Sequence, residues 1–310
     1  MSEEKRGGAS ARDLLSLMRP WHWGKNLLVF VPLFFSGQFF GGPRGVLLAL
    51  IGFCAFSLAS SGIYALNDCF DAPQDRLHPR KKKRPVASGR VSVGQAKALF
   101  AALSACALAL LALPLGFGVD AGVVLRAMAT LCCYIAMNTA YSAFGLKRMP
   151  VLDVTVVALG FVLRILLGSA LTGVAVSQWL LLTVLSASYT MSLGKRRNEL
   201  RHEKGDVRAV LQFYTEAFLG QGMTMFLTMT LVFYSLWSVD PQTAQRFGHN
   251  YTVYSVPLVI LIAMFYNLHL ESEEDGDPME VILHDKRLLA LSAAYVVLMF
   301  ALRYLKGGAL

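Results

Sequence analysis

Predominantly apolar runs of eighteen or more residues recur along this 310-residue chain. Each is long enough to cross a hydrocarbon layer about 30 Å thick as a helix. In lipid a segment must satisfy its own backbone N–H and C=O groups, and only helices and closed barrels do so. The period-two alternation of a barrel is absent. Nine spans are expected, at about residues 26–41, 46–66, 95–116, 121–140, 151–172, 176–193, 219–238, 252–270 and 288–305. The first is short and contains Pro32. The expected fold class is an all-α polytopic membrane protein, a nine-transmembrane-helix bundle. Only 16% of the residues are charged, against about 25% in soluble domains, which excludes a soluble two-domain enzyme and argues against a nucleic-acid partner.

Basic residues mark the side of a membrane that stays in the cytoplasm. With the N-terminus inside, the inside segments hold 23 of the 29 lysines and arginines, counting Lys97 at the start of the third span. Arg164 alone falls deep within a span, away from its ends. The polar start of the chain lacks the apolar core and small-residue cleavage site of a signal peptide. Residues 1–23 therefore read as a cytoplasmic segment, and 1–310 as one integral membrane domain. The five cysteines form no C-x-x-C pair, so neither a disulfide nor a zinc site is expected.

The stretch "NDCFDAPQD" (Asn67 to Asp75) follows the second span on the inside face. Asn67 and Asp71 are four apart and share a helix face. Pro73 is expected to kink or end the helix near Asp71, so that Asp75 returns from the next turn. Carboxylates at a helix C-terminus meet the negative end of the macrodipole and one another. They need a cation, and oxygen-only donors favour Mg²⁺ over zinc. The following run, Arg80 to Arg84, reads first as a topology anchor and lipid-headgroup contact. The two long polar loops follow spans 2 and 6, which hints at a pseudo-repeat enclosing a cavity.

"NDCFDAPQD" resembles the first aspartate-rich motif, N-D-x-x-D-x-x-x-D, of the UbiA superfamily of intramembrane prenyltransferases. The span count and the two inside-facing loops resemble that family too. The resemblance implies a metal site of Asn67, Asp68, Asp71 and Asp75, with Asn67, Asp71 and Asp75 catalytic. It also implies cytoplasmic active-site loops and a bacterial plasma (inner) membrane location. Most of the family carries a second aspartate pair after span 6; here that loop reads "SLGKRRNELRHEKGD" and offers Lys195, Arg196, Arg197 and Glu199. A site that exchanges carboxylates for cations suits a more anionic substrate.

"RPWHWGKN", "YSAFGLKRMPVLD", "GKRRNEL" and "FVLRILLGSA" are similar to the phosphoribosyl-transferring members of the family. That likeness implies Mg²⁺-dependent transfer of 5-phosphoribose from phosphoribosyl diphosphate (PRPP) to a polyprenyl (decaprenyl) phosphate, toward precursors of cell-envelope arabinan. It makes Lys25, Asn26, Tyr141, Lys147, Asp153, Arg164, Lys195, Arg196 and Glu199 candidate substrate-binding residues, with Arg208 and Tyr214 beside them. Each has a plainer reading. Lys25 and Asn26 could simply open span 1, Lys147 could be a positive-inside signal, and Glu199 could support Lys195 along a helix. Arg164 lies too far along span 5 to pair with Asp153, so it needs a partner on another helix or a wet cavity. The acidic "ESEEDGD" segment reads as a solvated loop, and the six histidines carry no assigned role. The competing functions are prenyl transfer to an aromatic acceptor, transport, and lipid scaffolding. Homo-oligomerisation is left open.

Overall fold

A computed structural model describes residues 9–79, 81–202, 210–248, 250–272 and 285–305. The helices are α1 (Ala11–Met18), α2 (Val31–Ser36), α3 (Pro43–Asp75), α4 (Val93–Ala112), α5 (Ala121–Ala143), α6 (Leu152–Thr172), α7 (Gln178–His202), α8 (Glu216–Val239), α9 (Pro241–Phe247), α10 (Val256–Ser272) and α11 (Lys286–Phe300). Among the described residues there is no strand.

Among the described residues seven segments are long and apolar enough to cross a membrane, so the expected count of nine is not confirmed. The two that fall short are those of spans 1 and 6. The first is a two-part element, a 3₁₀ segment (Pro20–Phe30) running into the single turn-and-a-half of α2. The sixth is α7, which is long but carries hydroxyl residues through its middle and charges from Lys195 onward. Thr183, Ser186, Ser188, Thr190 and Ser192 are all buried in it. Thr183, Ser188 and Thr190 return their hydroxyls to carbonyls one turn back. A helix shielded from lipid by its neighbours has no need of an apolar circumference.

The 3₁₀ segment owes its packing to its period. Three residues per turn align positions i, i+3 and i+6, and Trp23, Asn26 and Val29 fall on one line facing α3 and α6. Trp23 Nε1 donates to Ser61 Oγ at 2.9 Å, and Asn26 Nδ2 to Ser57 Oγ at 3.0 Å. Val29 is fully buried. A Cβ on Gly168 of α6 would overlap the Val29 main chain, so this close approach depends on a glycine.

α3 is the central element. It packs on α4, α5, α6 and the 3₁₀ segment, around a core that includes Phe56, Ile63, Leu131 and Leu167. A second core joins α7, α8, α10 and α11 through Leu193, Leu219, Tyr266 and Leu288. At 33 residues, α3 is about 50 Å long and outruns the hydrocarbon layer by about 20 Å. The expectation of a helix broken near Asp71 is corrected: α3 runs through Pro73 to Asp75. Proline is costly mid-helix through its missing N–H and its clash with the carbonyl four residues back. Here it sits in the final turn, with little helix beyond it to disrupt. Asn67, Asp71 and Asp75 thus continue one stripe at i, i+4 and i+8.

Gly168→Ala is expected to lower the thermal midpoint of the detergent-purified protein, as overpacking by about 1–3 kcal/mol does. Gly116→Ala, where a Cβ meets nothing within 4 Å, is the matched control and should leave the midpoint unchanged.

Candidate active site

The stripe on α3 forms one wall of a cavity of about 390 Å³. The 3₁₀ segment, α5, α6 and α7 supply the others. Asn67, Asp68, Asp71, Asp75, Lys25, Tyr141, Lys147, Arg164, Lys195 and Arg196 all line it. Asn26, Asp153 and Glu199 do not, and their side chains are spent on positioning others.

Each motif carboxylate faces a cation. Arg19 Nη2 donates to Asp68 at 2.5 Å, and Arg84 Nη1 to Asp75 at 2.8 Å, with Asp68 3.6 Å away. Lys147 pairs with Asp71, and Ser142 donates to Asn67 Oδ1. Asp71 is the most open of the three, its side chain 31% exposed against 2% for Asp68 and 7% for Asp75. Among the described residues no three His, Cys, Asp or Glu side chains converge as a ready cage, because each acid has turned to its own basic partner. The donor set still fits a hard cation, since it is oxygen-only and all four groups line the same cavity.

The wall opposite is built around Asp153, which is fully buried at the start of α6. Its Oδ2 accepts from Arg196 Nε at 2.6 Å and its Oδ1 from the Tyr214 hydroxyl at 2.6 Å. The Tyr214 oxygen in turn accepts from Val151 N at 2.6 Å. Val151 has φ 70°, a left-handed conformation that is strained for a β-branched residue. Its N–H bond to Tyr214 helps to hold it there. Arg196 Nη1 also donates to Glu199 at 2.7 Å. Burial, followed by donation to Asp153, pushes the Tyr214 phenol well above the ordinary tyrosine range, so it remains a donor at physiological pH. This network ties the α5–α6 turn, α7 and the segment before α8 together, and it aims Arg196 into the cavity.

Deeper in, Arg164 is 5% exposed. Its Nε donates to Asn26 Oδ1 at 2.8 Å and its Nη1 to the Gly160 carbonyl at 2.7 Å. The rings of Phe56, Phe161 and Tyr134 lie 4.6, 5.2 and 5.4 Å from the guanidinium carbon. Asn26 lies behind it as a buried bracket, not as a cavity residue.

Sequence reasoning passed over Arg19, Lys81, Arg84, Asn138 and Ser142, all cavity residues. Arg84 was hidden in a basic run that reads uniformly as a surface anchor; Lys82 and Lys83 of that run are indeed exposed. No local signal brings Arg19 to Asp68 across 49 positions. His22 and His78, left without a role, also line the cavity. Arg80, Arg208 and nearly all of the "ESEEDGD" segment lie outside the described residues.

The model of the UbiA prenyltransferase family matches residues 27–284. The chain belongs to the UbiA prenyltransferase family. It is accordingly a transferase enzyme. Among curated relatives, a decaprenyl-phosphate phosphoribosyltransferase of Corynebacterium glutamicum is 36% identical over 291 residues, covering 92% of this chain and 85% of that protein. A protein of the same name from Mycolicibacterium smegmatis is 32% identical, covering 96% and 95%. A UbiA homologue from Archaeoglobus fulgidus, solved bound to GPP and Mg²⁺, matches with a TM-score of 0.66 at 20% identity, over 94% of this chain and 99% of that one. That structural likeness concerns the fold, and it agrees with the UbiA-type helical bundle expected from the sequence.

Tyr214→Phe leaves Val151 N–H and Asp153 Oδ1 each short of a partner, at about 1–3 kcal/mol per stranded group. Asp153→Ala breaks the buried ion pair, leaving Arg196 to Glu199 alone and the Tyr214 hydroxyl without its acceptor, and is expected to cost about 3–5 kcal/mol. Melting midpoints in detergent should therefore fall in the order wild type, Tyr214→Phe, Asp153→Ala.

Proposed function

We propose that this UbiA-family enzyme transfers 5-phosphoribose from PRPP to a polyprenyl phosphate, with decaprenyl phosphate as the acceptor suggested by its relatives' names. One observation carries the reading. The cavity is lined by nine lysines and arginines but only three carboxylates. Moreover, the α7 end, where the family resemblance would place a second aspartate pair, presents Lys195 and Arg196, while Asp153 and Glu199 are both engaged in holding Arg196. PRPP brings a diphosphate and a 5-phosphate, and the acceptor brings a further phosphate. A prenyl diphosphate with an aromatic acceptor such as 4-hydroxybenzoate, which carries a single carboxylate, brings less negative charge for that excess to bind.

Asn67, Asp71 and Asp75, with Asp68, are the residues that would hold Mg²⁺, which when bound neutralises the diphosphate leaving group. Lys25, Lys147, Lys195 and Arg196 orient the phosphates of PRPP, and Tyr141 lines the same wall. The bond from ribose C1 to the diphosphate oxygen breaks, its electron pair leaving with the diphosphate. C1 gains oxocarbenium character, and an oxygen of the acceptor phosphate closes the new C1–O bond. That oxygen is already anionic, so no proton need move and the site's work is alignment. The asymmetry of basic residues supports a motif end on the cytoplasmic side of a bacterial plasma membrane; with the acceptor's lipid chain in the membrane, a sugar transfer needs a membrane enzyme.

The full chain in detergent, given PRPP, a polyprenyl phosphate and Mg²⁺, should yield a lipid-linked phosphoribose. Chelation should abolish that product, and Asp71→Asn should lower its rate by about 10²-fold or more. Product formed only from polyprenyl diphosphate and 4-hydroxybenzoate would overturn the reading in favour of ordinary prenyl transfer.

A further inference from the structure

We infer that Arg164 is the subsite for the phosphate head of the lipid acceptor, a phosphate monoester carried on an apolar chain. The inference rests on the phosphoribosyl reading and assigns one of its phosphates to one residue.

The cavity has two electrically different ends. At the motif end Arg19, Arg84, Lys147 and Arg196 each lie against a carboxylate. Arg164 does not: among the described residues no carboxylate lies within ion-pair distance of it, and its partners are an amide oxygen, a main-chain carbonyl and aromatic faces. It sits in α6, one of the segments apolar enough to cross a membrane. A guanidinium kept there without a counter-charge is expensive and is a mark of function. Neutral acceptors and ring faces hold and orient the cation while leaving its net charge available.

The bracket is preorganised. Asn26 is 1% exposed, and its amide nitrogen is committed to Ser57 Oγ at 3.0 Å and Ser60 Oγ at 3.4 Å. That leaves its oxygen to fix Arg164. The Gly160 carbonyl draws the guanidinium one turn back along α6 toward the motif end, so the charge faces the space shared with the aspartate stripe.

The surroundings choose between the two phosphate sources. Ile63, Val156, Val157 and Phe161 line the cavity on this side, and Val157 is 37% exposed. Such a wall suits an isoprenoid chain entering from the membrane. It offers little to the hydroxyls of ribose 5-phosphate, which the polar motif end serves.

The test is direct binding to the full chain in detergent, without PRPP, of decaprenyl phosphate and of uncharged decaprenol. Mg²⁺–PRPP binding is measured separately. Wild type should prefer the phosphate. Arg164→Gln should lose that preference about ten- to hundredfold, Arg164→Lys should recover part of it, and PRPP affinity should stay within about twofold. Asn26→Asp separates this role from a structural one. A carboxylate where Asn26 Oδ1 now lies 2.8 Å from Arg164 Nε keeps or strengthens the internal bond but quenches the charge. It should weaken binding of decaprenyl phosphate but not of uncharged decaprenol, a charge-selective loss that the missing donation to Ser57 and Ser60 would not produce. Retention of the phosphate preference in both Arg164→Gln and Asn26→Asp would overturn the assignment and leave the functional reading standing. So would a loss confined to PRPP. A wild type that fails to distinguish the phosphate from the alcohol would bring down the functional reading as well.

Discussion

A charge carried into a low-dielectric interior must meet a counter-charge, a dipole or a ligand, and this bundle's motif end is arranged around that requirement. Asp68, Asp71 and Asp75 project from one long helix. Each is matched by a cation from a different part of the chain: the turn after α1, the turn after α5, and the basic loop after α3. The pairs therefore do more than neutralise. They pin three connecting segments around the end of α3 and so shape the cavity.

The Asp153 network does the same for the opposite wall by another means. A carboxylate with no exposure is sustained by an arginine and a phenol, and the phenol also anchors a strained residue in the α5–α6 turn. Glu199 completes the arrangement from the far side of Arg196. Two acidic residues that could have been metal ligands are thereby converted into supports for a cation. In a family whose members share a helical scaffold, this is a physically simple way to change which ligand a cavity prefers. The scaffold stays, and the sign of one wall changes.

Much of this was legible in the chain itself. Apolar run length sets a helical membrane bundle because lipid offers no partner to an open backbone. The i, i+4 spacing of Asn67 and Asp71 puts them on one face before any coordinates are known. Span 6 falls where expected, on a helix less apolar than the other crossing segments, because burial among other helices relieves the demand for apolarity. One expectation failed for an identifiable reason. The break expected at Pro73 did not occur, because proline's penalty is small where the helix is about to end. Candidate residues also divided in a way spacing could not foresee: Lys25 and Lys147 line the cavity, while Asn26 and Asp153 stand behind it.

The sequence by itself determined the fold class and the location of the acidic stripe, which rest on run length, local period and residue type, and it pointed to the family through the resemblance of its motifs. Only the tertiary structure decided which cation meets which carboxylate, that Asp153 holds Arg196 with one oxygen and Tyr214 with the other, and that Arg164 is bracketed by an amide and three rings with no acid beside it among the described residues. Most of those pairings join residues far apart in the chain, such as Arg19 with Asp68, 49 positions apart, and Arg164 with Asn26, 138 apart. Contacts of that range are set by how helices pack, and nothing in a local stretch of chain records them.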